Sequence, residues 1–273
     1  MSFFDILTNY KNVRNHNVEY FGIGHSHIKS IEYAISENKD FLNARNISIK
    51  TICLLDDKFK NSLPFESKIK HFFYGKNKVF AWSFKVQRKL KAYLRNVKYC
   101  FSLFGGNAHN IIGLVNQPEP FDFLISHEDK NKLIKGARLI PLGIIEKAMM
   151  KQGGYPETIN CLRLLRKSYS GKIFQFQSPP PIPSQAHLLK YAGPFKTSFI
   201  KYGPAPAYLR LKLWKVHSEL LKKECKNLGI NFILSPPSMI DSKGFLIKKA
   251  WDLDTNHANS HYGKALIDQL ITQ

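Results

Sequence analysis

Val18-Glu-Tyr-Phe-Gly-Ile-Gly-His-Ser-His-Ile-Lys-Ser30 begins apolar, stops at a glycine and continues polar. Residues 18–23 (VEYFGI) have the length and the aromatic and β-branched content of a buried strand. Gly24 ends that run, His25, Ser26 and His27 follow in succession, and helix-like spacing begins after them. A serine between two histidines at the end of a first strand admits three readings. It is part of a metal site, a nucleophile, or a polar turn that caps a helix.

Outward from this stretch, short apolar runs alternate with amphipathic ones. Further strands are expected at 48–54, 98–104, 172–177 and 230–235. Helices are expected from Ser83 to Leu94, Ile144 to Met150, Thr158 to Lys167, Ala207 to Leu228 and Ser260 to Ile271. In the longest, Leu209, Leu213, Val216 and Leu220 recur at helical spacing and Gly229 supplies the stop. Strands alternating with helices predict an α/β chain with a parallel sheet covered on both faces. No linker divides residues 1–273, so one domain is expected, with a helical insertion at about 121–168.

The 273 residues, 44% of them hydrophobic, suffice for one sizeable core. A net charge of +21 and a pI of about 9.8 favour an acidic partner, such as an anionic glycan, a phosphate-bearing carrier, a lipid headgroup or nucleic acid. The alternative is a solvated basic surface. On the Ser83–Leu94 segment Lys85, Arg88, Lys89 and Lys91 face outward, where they would steer an anionic substrate. Cys53, Cys100, Cys161 and Cys225 include no C-x-x-C pair, which argues against structural zinc and for buried free thiols in a reducing compartment. The N-terminus lacks the basic start and apolar core of a signal peptide, and no apolar run is long enough to span a bilayer. A cytoplasmic protein is expected, with peripheral membrane contact left open.

Ligands of an open parallel sheet bind beyond the carboxyl ends of its strands. The segments there are Gly24-His25-Ser26-His27, Gly105-Gly106-Asn107-Ala108-His109, Gln177-Ser178-Pro179-Pro180 and Ser235-Pro236-Pro237. The last of these leads on to Asp254-Thr255-Asn256-His257-Ala258-Asn259. Taken singly, each Ser or Asn is most simply a turn or cap residue. Taken together, Ser in a glycine turn after the first strand, Asn in a G-x-N turn after the third, and D-x-x-H before a C-terminal helix resemble the SGNH (GDSL-like) hydrolase superfamily. The resemblance runs from Ser26 to His257. It implies a flavodoxin-like three-layer α/β/α sandwich with about five parallel strands. It also implies Ser26 as nucleophile, His257 as general base and Asp254 as its orienting partner. Asn107, Gly106 and Ser26 would supply the oxyanion donors. The implied reaction is cleavage of an O-acyl ester, an acetyl ester above all, of a carbohydrate or related anionic molecule through an acyl-serine, without cofactor or metal. The same triad would serve an O-acyltransferase of surface polysaccharide modification, and the same fold a binding protein without catalysis. His25, His27 and His109, in the same turns, are expected to bind substrate.

The chemistry has its own reasons. A serine hydroxyl is a weak nucleophile until a base removes its proton, and a neutral imidazole oriented by a carboxylate is such a base near neutral pH. Asp254 and His257 are three residues apart, so one short loop can hold both. His261, behind Ser260 as an expected N-cap, would sit in a first helical turn, where the positive helix end disfavours imidazolium. The sequence departs from the family pattern at His25 and Ala108, where Asp is usual, and has no glycine after the second strand before Gly75.

Rival chemistries fit less well. The H-x-H and G-N-x-H pieces suggest a metallophosphoesterase, but no Asp ends the first strand to bridge two metals. Gly22-Ile-Gly24 lacks the further glycine of a dinucleotide fingerprint, and no P-loop motif is present. Lys58–Lys78 interleaves aromatics with lysines as single-strand nucleic-acid modules do, but reads more simply as a basic loop with core anchors, so nucleic acid is not the expected partner.

Overall fold

The structure, a computed structural model, describes residues 20–56, 65–67, 79–106, 108–126, 133–151 and 154–273. Residues 57–64 and 68–78, Gly75 among them, therefore lie outside the described residues. Five strands form the main sheet: β1 (Tyr20–Gly24), β2 (Ile49–Cys53), β3 (Tyr99–Leu103), β4 (Ile173–Phe176) and β5 (Asn231–Ile233). Their order is β2-β1-β3-β4-β5, and every neighbouring pair is parallel. The chain thus winds one way from β1 to β2 and the other way from β3 onward. The crevice of such a sheet lies at the carboxyl ends of β1 and β3.

The helices are α1 (Lys29–Glu37), α2 (Lys39–Ala44), α3 (Phe84–Tyr93), α4 (Ala108–Gly113), α5 (Leu142–Lys151), α6 (Tyr155–Ser168), α7 (Gln185–Lys190), α8 (Lys196–Tyr202), α9 (Ala207–Asn227) and α10 (Ser260–Ile271). Side chains of a strand alternate between faces, so each strand feeds two cores. Phe21, Ile23, Ile52 and Cys100 pack under α3, α6 and α9 through Val86, Leu90, Leu162, Leu165 and Leu213. Tyr20, Ile49, Phe101 and Phe174 pack under α1, α7, α8 and α10 through Ile31, Leu188, Phe199 and Leu266. The result is a three-layer α/β/α sandwich. Each such Leu, Ile or Phe contributes about 1.5–3 kcal/mol when fully buried.

Between β3 and β4 a short parallel ladder joins Phe121–Asp122 to Arg138–Leu139, followed by α5 and α6. Asp122 is buried there and forms an ion pair with the buried Lys212 of α9, while its Oδ2 accepts the Ile134 N–H at 2.9 Å. A buried pair of this kind leaves an uncompensated charge if either partner is removed. Among the described residues no helix is long and apolar enough to cross a membrane.

One packing contact bears directly on the site. α10 lies backbone to backbone on α1, because a Cβ on Gly263 would stand 1.9 Å from the Ser30 carbonyl oxygen. Ser26 precedes α1 and His257 precedes α10, so this contact sets their separation. Gly263→Ala is expected to cost about 1–3 kcal/mol of stability through overpacking. The same substitution should widen the distance from Ser26 to His257, because α10 must move away from α1.

Candidate active site

Ser26 opens a 3-10 turn, Ser26–Ile28, that runs into α1. Its side chain is partly exposed, and its Oγ lies 2.7 Å from His257 Nε2. On the other side of the ring His257 Nδ1 is bonded to Asp254 Oδ2. An ionised carboxylate only accepts, so Nδ1 carries the proton. Nε2 of the neutral ring is then the acceptor, and the Ser26 hydroxyl donates to it. The structure thus brings Ser26, His257 and Asp254 into one continuous hydrogen-bonded chain.

The loop before α10 holds the carboxylate in place. Asp254 Oδ1 accepts the backbone N–H groups of Asn256 (2.9 Å) and His257 (2.8 Å). Burial pushes the Asp254 pKa up. The hydrogen bond and charge of His257, with the two amides, outweigh that and bring it down to about 2. The acid is therefore ionised near neutral pH. The loop is closed by a bridge between Trp251 and Ala258 and by Asp252 N–H donating to His257 O at 3.2 Å. Asn259, not Ser260, caps α10: its Oδ1 accepts the His261 N–H at 3.0 Å, and its Nδ2 donates to Lys249 O and Trp251 O. An Asn side chain reaches the first-turn amide as well as a Ser hydroxyl does, and here it also ties the loop to the helix. His261 is exposed in the first turn of α10.

The turn after β3 faces the same crevice. Gln175 on β4 fixes it: Oε1 accepts the Ser102 hydroxyl at 2.6 Å, and Nε2 donates to Phe104 O at 3.0 Å and Phe176 O at 2.7 Å. A satisfied buried amide of this kind sets the path of the backbone it holds. Gly106 has φ +99°, and a Cβ there would meet His27 Nε2 at 2.2 Å, so only glycine fits. Asn107, the expected side-chain oxyanion donor, lies outside the described residues.

The histidines next to these turns require a correction. His25, His27 and His109 are buried, with 3–5% of their surface exposed, so their rings are not offered to a substrate. His25 turns into the α6 side of the sheet, 3.8 Å from Cys161 Sγ and 5.2 Å from the Phe104 ring. His27 lies against the His257 ring at 4.7 Å. His109 lies 5.3 Å from His217 of α9, which also meets Tyr155 at 6.0 Å. Burial lowers the pKa of all four: His25 and His217 to about 4, His27 and His109 well below the ordinary range. The physical reason is packing: a short turn between a buried strand and a helix packed on the sheet by one face has little surface, and Ser26 takes it. Among the described residues no three His, Cys, Asp or Glu side chains are placed to share a metal ion. His187 of α7, which touches the Asp254 loop, has no mark in local sequence spacing.

No protein-family model and no curated protein matches the chain. Solved structures similar along their whole length include one described as an acylhydrolase from Bacteroides fragilis. It shares 11% identity, with 100% of this chain and 98% of that chain covered and a TM-score of 0.45. Another, described as a GDSL-like lipase from Bacteroides thetaiotaomicron, shares 12% identity, with 99% and 96% covered and a TM-score of 0.44.

Proposed function

We propose that the chain is an SGNH-like serine hydrolase that cleaves a carboxylic ester through an acyl-serine intermediate. The observation that carries this proposal is the Asp254–His257–Ser26 relay, with Ser26 Oγ 2.7 Å from Nε2 of a ring held in one tautomer. As Ser26 Oγ attacks the ester carbonyl, its proton passes to His257 Nε2, and Asp254 stabilises the imidazolium that forms. Negative charge develops on the carbonyl oxygen. Backbone N–H groups of Ser26 and Gly106, with Asn107, are the donors assigned to it, each worth on the order of 10²–10³ in rate. Collapse expels the alcohol, which takes the proton back from His257. Water then enters by the same route in reverse and releases the acid.

For the substrate we favour an O-acyl ester, acetyl above all, on a carbohydrate or related anionic molecule. The support is electrostatic: the charge is +21, and no acidic residue occurs between Thr158 and Ser218, a span that includes the α7 side of the site. The test is intact-mass spectrometry after mixing with an aryl acetate. One acetyl group on Ser26 that decays in water supports hydrolysis. Decay accelerated by an added glycan, with acetate recovered on the sugar, would make the enzyme a transferase. No adduct on Ser26 under any acyl donor would sink the proposal.

A further inference from the structure

His187 Nε2 stands 3.0 Å from the backbone oxygens of both Asp252 and Asp254. Carbonyl oxygens only accept, so Nε2 carries a proton and shares it between them. The ring has little freedom to turn away. It lies edge-on to Trp251 at 5.0 Å and against Tyr191 at 4.7 Å, and the His187 backbone N–H is tied to the capping Ser184 Oγ at 3.2 Å. The two carbonyls flank Leu253, whose side chain is 71% exposed and gives this part of the loop no anchor of its own. The N–H groups here are held within the loop, Leu253 N–H by Asp252 Oδ1 at 2.8 Å and Asp252 N–H by His257 O at 3.2 Å, whereas the Asp252 and Asp254 carbonyls are held by the hydrogen bond from α7.

We propose that His187 is a positioning residue: its shared N–H sets the orientation of the 252–254 backbone and so aims the Asp254 carboxylate at His257. The role rests on the triad assignment above. It differs from packing, because packing needs only a ring between Trp251 and Tyr191, whereas aiming needs the donor. A displacement of about 1 Å in a reacting constellation costs on the order of 10²-fold in rate.

Three variants separate these roles. His187→Phe keeps a ring and loses the donor, His187→Gln keeps an N–H donor and loses the ring, and His187→Ala loses both. Each is measured for kcat and KM on an aryl acetate, for thermal midpoint, and by NMR for the His257 Nδ1 proton. The expected result is that His187→Phe loses about 10–10² in kcat with KM little changed and the Nδ1 proton signal shifted or lost. His187→Gln should recover most of both. Wild-type kcat and an unchanged Nδ1 signal in His187→Phe would overturn the proposal. So would His187→Gln being as impaired as His187→Ala with a matching fall in thermal midpoint, since that is packing. If wild-type protein never acylates Ser26, the triad assignment fails, and the Nδ1 signal alone then decides whether His187 aligns the Asp254–His257 pair.

Discussion

His257→Ala is expected to lower the acylation rate of Ser26 by on the order of 10⁶-fold, because the serine loses the proton acceptor at its hydroxyl. The choice of His257 as the acceptor follows from geometry. Nε2 is 2.7 Å from Oγ, and Asp254 occupies the other ring nitrogen. Asp254→Asn is expected to cost on the order of 10⁴-fold, since an amide can present its N–H to Nδ1 and hold the wrong tautomer. His261→Ala should change little, because the residue is exposed on α10 and its structural contact is made by its backbone N–H. Single-turnover acylation by an aryl acetate reads all three. If His261→Ala is the most damaging substitution while His257→Ala acylates at a near-normal rate, the base has been assigned to the wrong histidine.

The second large effect is on stability in acid. His25, His27, His109 and His217 are buried and neutral, and burial depresses the pKa of each. In the unfolded chain each returns to about 6.5. Below that value the unfolded state binds protons that the folded state refuses, so stability rises with pH across this window. It is complete above about pH 6.5 and is lost as pH falls toward the folded values. His25 and His217, each held at about 4, account for about 3 kcal/mol apiece over that interval. Typical domains have only about 5–15 kcal/mol in total. Asp254 acts in the same sense at lower pH: its pKa is depressed to about 2, so its stabilising contribution is lost only as pH falls below the ordinary carboxylate range, and it adds nothing to the slope between about pH 7 and about pH 5. Urea unfolding midpoints are therefore expected to fall steeply between about pH 7 and about pH 5, and His217→Phe should flatten the slope by about one proton. Equal midpoints across the window would show that these rings are hydrated or charged in the folded protein.

Much of the fold was legible because strand and helix leave local marks. Runs such as KIFQFQ at 172–177 and the Leu209, Leu213, Val216 repeat place β4 and α9 without any knowledge of tertiary contact. The carboxyl-edge turns then follow from topology, which explains how Ser26 and the Asp254–His257 loop could be named although 231 residues separate Ser26 from His257. Burial inside a turn was not legible. His25, Ser26 and His27 have similar polarity on paper. Which of them keeps surface depends on α6 reaching His25 through Cys161 and on Gly106 leaving room for His27. His187 was equally hidden. Its partners are backbone oxygens 65 and 67 residues away, and a carbonyl has no residue type to read. The cap of α10 moved by one residue because Asn259 and Ser260 are both good caps, and only Asn259 also reaches Lys249 O and Trp251 O.

The most direct test of the central claim is covalent labelling with a fluorophosphonate probe, followed by peptide mapping. The Asp254–His257–Ser26 relay predicts a single adduct on Ser26 in the wild-type protein, absent from Ser26→Ala although that variant unfolds at the wild-type midpoint. Labelling that survives in Ser26→Ala, or a wild-type protein that takes up no probe while fully folded, would contradict it.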